Sequence, residues 1–279
     1  MKIVRISKDG RTADALLCDG SVRVLGAWRA GGDDSFPASK MSLPALSELV
    51  AAAGESIDIG EVRLERPLDA RSTVICIGVN YHDHVSEFRD AAPEQPALFL
   101  RNPGSLVGPT DPISAPSASE TFDYEGELAV VIGKAGRRIS REDAADHVLG
   151  YTCFMDGSVR AFQKHSVTAG KNFWHSGAIG PWIVTRDEIS EIGSIGLQTR
   201  IDGELVQQTT LDLMIFDVPA LIAYCSTWTE LQPGDVISTG TPAGVGAFRQ
   251  PPRWLRAGER VEVSIDGVGI LSNVVEADS

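Results

Sequence analysis

The stretch "FDYEGELAVVIGK", residues 122–134, places two glutamates at the entry to an apolar run that is typical of a buried strand. Because side chains alternate faces along a strand, Glu125 and Glu127 are expected to point to the same face and lie close together. Two neighbouring carboxylates repel each other, and burial adds to the cost unless something positive compensates. The pattern therefore predicts a strand whose acidic end needs a compensating cation.

A third carboxylate, Asp156, follows in "GYTCFMDGSVRAFQ", residues 150–163, after a predicted helix and a further apolar strand. Three carboxylates on one face, with few soft ligands nearby, suit a hard divalent cation such as Mg²⁺ or Mn²⁺. An octahedral ion held by three protein ligands keeps about three positions for water or a chelating substrate. Glutamates two residues apart also mark solvated strand faces, so the spacing alone leaves both interpretations open.

The segment "GVNYHDHVSE", residues 78–87, carries a histidine and a glutamate three residues apart. If the segment is helical, His84 and Glu87 are neighbours on one turn. A carboxylate orients an imidazole and raises its basicity, which is typical of a general base that acts on water. A surface ion pair is the structural alternative, and His82 with His84 also matches a pair of zinc ligands on a strand, as in a zinc amidohydrolase.

Polar residues later in the chain are candidates for binding an anion. Lys171, in "AGKNFWHSGAIGPW", lies between a glycine and aromatic or apolar residues. This context fits a partly buried lysine that holds a substrate carboxylate or protonates a carbanion, although a surface lysine fits as well. Arg160 and Gln163 extend the same pocket, and "TGTPAGVG", residues 239–246, offers backbone N–H groups and the Thr241 hydroxyl.

The bulk composition excludes several classes of partner. The chain has 279 residues and a formal net charge of −13, which argues against nucleic acid and anionic membrane surfaces. Its four cysteines are widely spaced and predict reduced thiols in place of a zinc cluster or a disulfide framework. The first twenty residues lack an apolar signal-peptide core, so a cytoplasmic location is expected.

Strand and turn patterns predict a β-rich α+β fold with two domains. Residues 1–68 indicate a small N-terminal β-rich domain, with strands around Asp-Gly turns and a helix that begins after Ser42. Residues 69–279 contain mostly strands, with helices predicted over residues 140–150 and after Asp217. Because strands do not alternate regularly with long helices, Rossmann and TIM-barrel layouts are not expected.

Six segments together resemble the fumarylacetoacetate hydrolase family. They occur in the family's order from about residue 72 to the end, and they are "ICIGVNYHDHVSE", "LVGP", "FDYEGELAVVIGK", "GYTCFMDGSVRAFQ", "GKNF…GPWIVT" and "DLMIFDVPALIAYCSTWTELQPGDVISTGTPAGVG". The resemblance implies a mixed β-roll or β-sandwich catalytic domain with a metal ion inside it, in a homodimer. The N-terminal part resembles the small extra domain of many bacterial members.

The resemblance also implies roles for individual residues. The implied metal ligands for one Mg²⁺ or Mn²⁺ are Glu125, Glu127 and Asp156. The implied catalytic groups are His84, Glu87 and Lys171, with the His–Glu pair on a segment that orders over the substrate. The implied contacts to the oxo-acid end of the substrate come from Arg160, Gln163, Thr241 and again Lys171.

Two departures from the family's pattern concern the pocket and not the metal ligands. Many members have a lysine where this chain has Arg101, and many have Ser-Phe-Asp after the lysine, where this chain continues with Asn172, Phe173, Trp174 and His175. The altered residues are expected to line or border the pocket. The departures therefore bear on substrate identity.

The resemblance implies chemistry through a metal-stabilised enolate of a small 2-oxo acid or dicarboxylate. Because both His84 and Glu87 are present, the first expectation is hydrolysis of a C–C bond in an acylpyruvate, a 2,4-dioxo acid, as in aromatic catabolism. The alternatives within the family are decarboxylation of oxaloacetate and isomerisation of 2-hydroxyhepta-2,4-diene-1,7-dioate by proton movement alone. A carboxylate-binding protein without catalytic activity is a further alternative.

Overall fold

The computed structural model of the chain describes residues 1–87 and 91–278. Within these residues there are nineteen strands: β1 Lys2–Lys8, β2 Arg11–Cys18, β3 Ser21–Ala30, β4 Ser56–Asp58, β5 Arg63–Glu65, β6 Val74–Gly78, β7 Ala97–Arg101, β8 Leu106–Val107, β9 Ile113–Ala115, β10 Phe122–Asp123, β11 Gly126–Ile132, β12 Val148–Met155, β13 Ser158–Val159, β14 Gly177–Thr185, β15 Gly196–Ile201, β16 Glu204–Thr210, β17 Val236–Ser238, β18 Arg260–Ile265 and β19 Gly269–Ala277.

The same residues form five α-helices: α1 Leu43–Ala51, α2 His82–Val85, α3 Arg160–Gln163, α4 Val167–Lys171 and α5 Val218–Trp228. Short 3₁₀ helices cover Pro37–Lys40, Ile59–Glu61, Pro103–Ser105, Ala144–His147, Arg186–Glu188, Ile192–Ser194, Leu211–Leu213 and Gly246–Phe248. The predicted β-rich α+β class is confirmed. None of the helices found in the described ranges is long and apolar enough to cross a membrane.

One large mixed sheet organises the molecule. Its strands follow the order β4-β3-β2-β1-β14-β12-β11-β17-β6-β7, with β5 paired to β1 and β8 paired to β14. Most neighbours are antiparallel, whereas β17 runs parallel to β6 and β8 runs parallel to β14. Every residue of β11 is buried, since the strand lies between β12 and β17 with both faces covered. The strand predicted from the apolar run is therefore central.

A second sheet covers the centre of the first one. Its order is β16-β15-β18-β19-β9, and it packs against β11, β12 and β14. Leu128 and Cys153 of the large sheet share one apolar core with Leu197, Val263 and Leu271 of the second sheet. Burial of each such aliphatic side chain stabilises the fold by about 1.5–3 kcal/mol. The two sheets form the sandwich that supports the acidic end of β11.

The N-terminal strands continue the large sheet. Strand β1 pairs with β14 through Ile3 and Ile183, so that β1–β4 extend the sheet beyond the predicted boundary at residue 68. Phe36 and Leu46 of the N-terminal segment belong to the same apolar core as Phe154 of β12. The division into residues 1–68 and 69–279 stays a prediction. Both the sheet and a core run across that boundary.

Two predicted helices are confirmed and one is wrong. Helix α1 is capped by the Ser42 side chain and α5 by the Asp217 side chain, each of which accepts a hydrogen bond from a backbone N–H. Over residues 140–150, the expected Ser140–Asp143 contact forms, but a single 3₁₀ turn follows and the chain then enters β12. Pairing of β12 with β11 and β14 outweighs the local helical tendency there.

Candidate active site

Three carboxylates meet at the entry to β11. Glu125 and Glu127 flank the first residue of the strand, and its partner strand β12 ends directly before Asp156. The Asp156 backbone N–H donates to the Glu125 carbonyl at 2.8 Å, which holds the two loops together. One carboxylate oxygen from each residue lies within 4.8 Å of the others, and all three side chains are buried. The geometry confirms that the glutamates share a face.

Three cations, the buried Lys171 and Arg101 and the partly exposed Arg160, compensate the negative charge of the buried carboxylates. Lys171 Nζ lies 2.6 Å from Glu125 Oε2 and 2.6 Å from Asp156 Oδ2. Arg101 Nη1 lies 2.6 Å from Asp156 Oδ1, and Arg160 Nη2 lies 2.6 Å from Glu125 Oε1, the latter as an ion pair without an aligned hydrogen bond. Two of the three carboxylates are therefore paired with cations on both oxygens.

These pairs fix the ionisation of the groups. Burial alone raises the pKa of Glu125, but the charges of Lys171 and Arg160 outweigh it and lower that pKa to about 2. Burial likewise works against the ammonium of Lys171, yet Asp156 and Glu125 raise its pKa above the ordinary value. Lys171 is consequently a permanent cation at neutral pH, and Glu125 is a permanent anion.

Glu127 is in a different position. Its Oε2 accepts hydrogen bonds from Ser238 Oγ at 2.5 Å and from the Gly240 backbone N–H at 3.1 Å, and both donors are neutral. Burial, together with the charges of Asp156 and Glu125, raises the pKa of Glu127 well above its usual range. Among the residues that the structure describes, none forms an ion pair with it. A divalent cation would supply the missing charge, and three carboxylate donors fit Mg²⁺ or Mn²⁺.

A histidine–glutamate pair forms at the end of α2, with His84 in the helix and Glu87 in the turn that follows it, at the three-residue spacing that the sequence analysis singled out. His84 Nδ1 lies 2.6 Å from Glu87 Oε2, and Glu87 Oε1 accepts a hydrogen bond of 2.9 Å from the Gly244 backbone N–H. The alternative of two zinc ligands on a strand is wrong in its premise, because His82 lies on the same short helix and is exposed whereas His84 is buried.

A cavity of about 340 Å³ connects the predicted groups. Its polar lining consists of His84, Glu125, Arg160, Gln163, Lys171 and Thr241. Its apolar lining includes Ile77, Val79, Leu98, Phe99, Val167 and Phe248. Arg160 Nη1 donates to Gln163 Oε1 at 3.1 Å, so these two side chains form one unit of the wall. The structure thus brings His84, Lys171 and the predicted substrate-binding residues to one small chamber, with Glu87 bonded to His84 outside the lining and Glu125 as the one predicted metal ligand within it.

Two buried residues that support this chamber escaped the sequence analysis. Gln207 accepts from the Gly126 N–H at 2.9 Å and donates to Thr241 Oγ1 at 2.8 Å. Asp123 accepts from Arg160 Nε at 2.8 Å and from the Gly246 N–H at 2.7 Å. The strand alternation that places Glu125 and Glu127 on one face also includes Asp123, two residues earlier, so the sequence does contain a pattern that predicts Asp123 near the site. Nothing local marks Gln207.

The altered positions lie away from the chamber. Arg101 is buried behind Asp156, and the Trp174 side chain is 65% exposed. Trp174 and Arg101 border a separate open depression with Leu100 and Asn102, and His175 lies in a neighbouring one. None of the three is among the described residues that line the cavity. The expectation that the altered residues line or border the pocket is therefore not met as far as these three lining the cavity is concerned, whereas Arg101 bonds Asp156 and so adjoins the carboxylate cluster.

Comparisons with known proteins show the family of this chain. The family model described as fumarylacetoacetate (FAA) hydrolase C-terminal matches residues 73–276. The mitochondrial oxaloacetate tautomerase fahd2 of Xenopus laevis is 44% identical over 218 residues, which are 77% of this chain and 68% of that protein. The oxaloacetate tautomerase YisK of Bacillus subtilis (strain 168) is 42% identical over 223 residues, which are 78% of this chain and 74% of that protein.

Solved structures share the whole architecture. The fumarylacetoacetate hydrolase of Exiguobacterium antarcticum is 35% identical and superimposes with a TM-score of 0.83 over 100% of both chains. The maleylpyruvate hydrolase of Sphingobium sp. SYK-6, solved in complex with manganese(II) and pyruvate, is 28% identical with a TM-score of 0.79 over 100% of both chains. Both similarities include the N-terminal segment of this chain.

Proposed function

Because this chain belongs to the fumarylacetoacetate hydrolase family, we propose that it is a divalent-cation-dependent enzyme that interconverts the keto and enol forms of oxaloacetate. One observation carries the proposal: His84, which is bonded to Glu87, and Lys171 line one cavity of about 340 Å³ that also includes Glu125 of the three-carboxylate cluster. Relatives named oxaloacetate tautomerases, at 44% and 42% identity, support the choice of substrate.

The reaction needs a base that reaches C3 of the substrate. In the keto-to-enol direction a proton leaves C3, the bonding electrons form the C2–C3 double bond, and a proton is added to the C2 oxygen. His84 is the base in this proposal. Its Nδ1 donates a hydrogen bond to Glu87 Oε2, so Nε2 is the atom that accepts the proton from the substrate. The Glu87 carboxylate then stabilises the imidazolium that forms.

Cationic residues stabilise the negative charge that develops on the substrate. The Lys171 ammonium lines the cavity and stays protonated, so it can donate to the C2 oxygen while the enolate forms. Arg160 and Gln163 form an adjacent wall that suits the 1-carboxylate. The Thr241 hydroxyl already donates to the Gly126 carbonyl, so toward a ligand this residue offers its backbone N–H.

The proposed metal ligands are Glu125, Glu127 and Asp156, whose oxygens converge in the structure. A bound Mg²⁺ or Mn²⁺ supplies Lewis-acid polarisation of the 2-oxo group and offsets the charge of the enolate. The oxygen-only donor set suits either ion, and a family structure at 28% identity contains manganese(II) together with pyruvate. We also propose the homodimer that the family resemblance implies, which light scattering measures directly.

Hydrolysis of an acylpyruvate is the second candidate. The carboxylate–imidazole pair of His84 and Glu87 is an arrangement that activates water as well as one that abstracts a proton. Solved neighbours are described as fumarylacetoacetate and maleylpyruvate hydrolases, at 35% and 28% identity. Both reactions pass through an enolate, so the same residues serve either outcome. Hydrolysis differs from tautomerisation in that water attacks the carbonyl distal to the 2-oxo acid, whereas tautomerisation only moves a proton.

A substrate panel separates the candidates. The purified protein with Mn²⁺ is mixed with enol-oxaloacetate, and loss of the enol's ultraviolet absorbance is followed against a protein-free control. Parallel assays follow hydrolysis of acetylpyruvate and fumarylpyruvate, pyruvate release from oxaloacetate, and heptadienedioate isomerisation. We expect the tautomerisation to be accelerated most. Faster hydrolysis of a dioxo acid would favour the second candidate, and no turnover on any compound would indicate a binding protein.

A further inference from the structure

The guanidinium of Arg101 is buried, and each of its three nitrogens donates a hydrogen bond to the surrounding protein. Nη1 donates to Asp156 Oδ1 at 2.6 Å and to the Gly157 carbonyl at 3.3 Å. Nη2 donates to Ser176 Oγ at 2.9 Å and to the Ser105 carbonyl at 3.3 Å, while Nε donates to Ser105 Oγ at 3.1 Å. The Arg101 side chain is 0% exposed. A buried cation with all three nitrogens bonded is rigid, and so is the carboxylate oxygen that it holds.

The chain leaves space for this guanidinium at Gly177. A Cβ atom added there would lie 2.7 Å from Arg101 Nη1, closer than side-chain atoms approach one another. Glycine at the start of β14 therefore permits the guanidinium to sit directly against the strand. The site is built around an arginine at this position, and its planar shape, not only its charge, determines the contacts.

We infer that Arg101 is a positioning residue that restricts Asp156 to a single oxygen for the cation and thereby selects Mg²⁺ or Mn²⁺ over Ca²⁺. The guanidinium takes Oδ1, and Oδ2, which bonds the Lys171 ammonium together with Glu125 Oε2, is the oxygen that a divalent cation would take in place of the ammonium. The other two carboxylates are restrained in the same way, since Arg160 pairs with Glu125 Oε1 and Ser238 donates to Glu127 Oε2. The inference rests on the proposed metal role of the cluster.

The preference follows from how the ions coordinate. Ca²⁺ takes six to eight oxygens and commonly uses both oxygens of a carboxylate, whereas Mg²⁺ requires a compact octahedral arrangement with few carboxylates. Mn²⁺ accepts the same octahedral oxygen set. A cluster in which each carboxylate has one oxygen restrained by the protein suits the octahedral ions and is poor for Ca²⁺. Release of Asp156 would remove part of that discrimination.

The conservative variant Arg101→Lys separates geometry from charge. A lysine keeps the positive charge beside Asp156, but its single ammonium cannot hold Asp156, Ser105 and Ser176 together as the planar fork does. The Asp156 carboxylate should then rotate and offer both oxygens. The matched control is Arg5→Lys, a second buried arginine that binds Asp34 and the Asp33 carbonyl in the N-terminal part of the chain.

The experiment is calorimetric titration of Mn²⁺ and Ca²⁺ into the chelator-treated full-length protein. For Arg101→Lys we expect the Mn²⁺ dissociation constant to rise by about 10- to 100-fold while the Ca²⁺ constant stays near the wild-type value. The selectivity for Mn²⁺ over Ca²⁺ would then fall by about the same factor. The Arg5→Lys protein should keep the wild-type ratio.

A wild-type ratio in Arg101→Lys, with both affinities unchanged or both lowered equally, would overturn the inference. If that variant does not fold, Ser176→Ala is measured instead, because it keeps the arginine and removes one of its anchors. We expect a smaller fall of the ratio in the same direction, and an unchanged ratio overturns the inference here too. Wild-type protein that binds neither ion would instead refute the proposed metal dependence.

Discussion

Single side chains determine the charge of the site. Four buried carboxylates, Asp123, Glu125, Glu127 and Asp156, face three cations, the buried Arg101 and Lys171 and the partly exposed Arg160. If all four carboxylates are ionised, the cluster has excess negative charge; without a bound cation the raised pKa of Glu127 reduces that charge, and the site still has no excess positive charge to attract an anionic substrate. A divalent cation reverses the sign, so a 2-oxo acid anion is expected to bind after the metal ion and not before it.

Glu127→Gln tests the carboxylate that has neutral donors only. The amide is isosteric but uncharged, so we expect catalytic activity to be lost and Mn²⁺ binding to weaken by at least about 100-fold. Because burial and the neighbouring carboxylates disfavour the ionised form of Glu127, the uncharged amide removes this unfavourable interaction, and the melting temperature in chelator should be at least that of the wild type. Mn²⁺ should raise the melting temperature of the wild type but not of the variant. Equal Mn²⁺ stabilisation of both proteins would show that the ligand assignment is wrong.

Lys171→Met separates catalysis from cation binding. The ammonium bonds the oxygens Glu125 Oε2 and Asp156 Oδ2, so its charge opposes a divalent ion in the same place. We expect the variant to lose tautomerase activity and to bind Mn²⁺ more tightly than the wild type does, as measured by calorimetry. Lys40→Met, which removes an ammonium 3.0 Å from Asp69 elsewhere, is the control and should change neither property. Weaker Mn²⁺ binding by Lys171→Met would contradict this role.

His84→Ala removes the proposed base without touching a carboxylate of the cluster. General acid–base catalysis contributes roughly 100- to 10,000-fold to rates, so turnover should fall by a factor in that range. The affinity for Mn²⁺ should stay at the wild-type value, since His84 lies on α2 and is not one of the three clustered carboxylates. Enol absorbance assays and Mn²⁺ titration on the same sample provide both readouts. Wild-type turnover in this variant would place the base elsewhere.

Among the structural elements, the glycine-rich loop after β17 is the one that joins the catalytic pair to the rest of the site. Its Gly244 N–H donates to Glu87, and its Gly246 N–H donates to Asp123. Gly244 has φ +102, and a Cβ there would lie 2.2 Å from the Val206 carbonyl oxygen. The loop therefore has to be glycine at this point to reach Glu87.

Gly244→Ala should displace the loop and loosen the His84–Glu87 pair. We expect turnover to fall by at least about tenfold, a barrier increase of about 1.4 kcal/mol, while Mn²⁺ binding is retained. Gly258→Ala is the matched control, because Gly258 has a similar φ of +96 with nothing within 4 Å of the added Cβ. It carries the same backbone strain without the clash. If both variants retain wild-type turnover, the loop does not position the pair.

Local patterns predicted those parts of the site that depend on neighbours in sequence. Strand alternation placed Glu125 beside Glu127, and three-residue spacing placed His84 beside Glu87. Contacts between residues distant in sequence had no such signal. Arg101 is 55 residues from Asp156, and nothing in the sequence around Arg101 indicates which carboxylate it binds. The helix expected over residues 140–150 was wrong for the same reason, because strand pairing by distant residues decided the structure there.

At the scale of the whole molecule, the N-terminal segment is part of the scaffold. Strand β1 covers the edge of β14, and Phe36 and Leu46 complete a core that reaches Phe154 of β12. A chain of residues 69–279 alone would expose both an unpaired strand edge and apolar side chains. We expect it to aggregate or to melt well below the full chain in a thermal denaturation experiment. A soluble, active fragment with the full-length melting temperature would instead show that the predicted boundary at residue 68 separates independent domains.

The most direct measurement of the central claim is the rate of enol-oxaloacetate tautomerisation before and after removal of divalent cations. The account predicts that chelator-treated protein loses its activity and that a single equivalent of Mn²⁺ or Mg²⁺ per chain restores it, whereas Glu127→Gln is not restored. Full activity of the wild type in excess chelator would contradict the claim that the three carboxylates act through a bound cation.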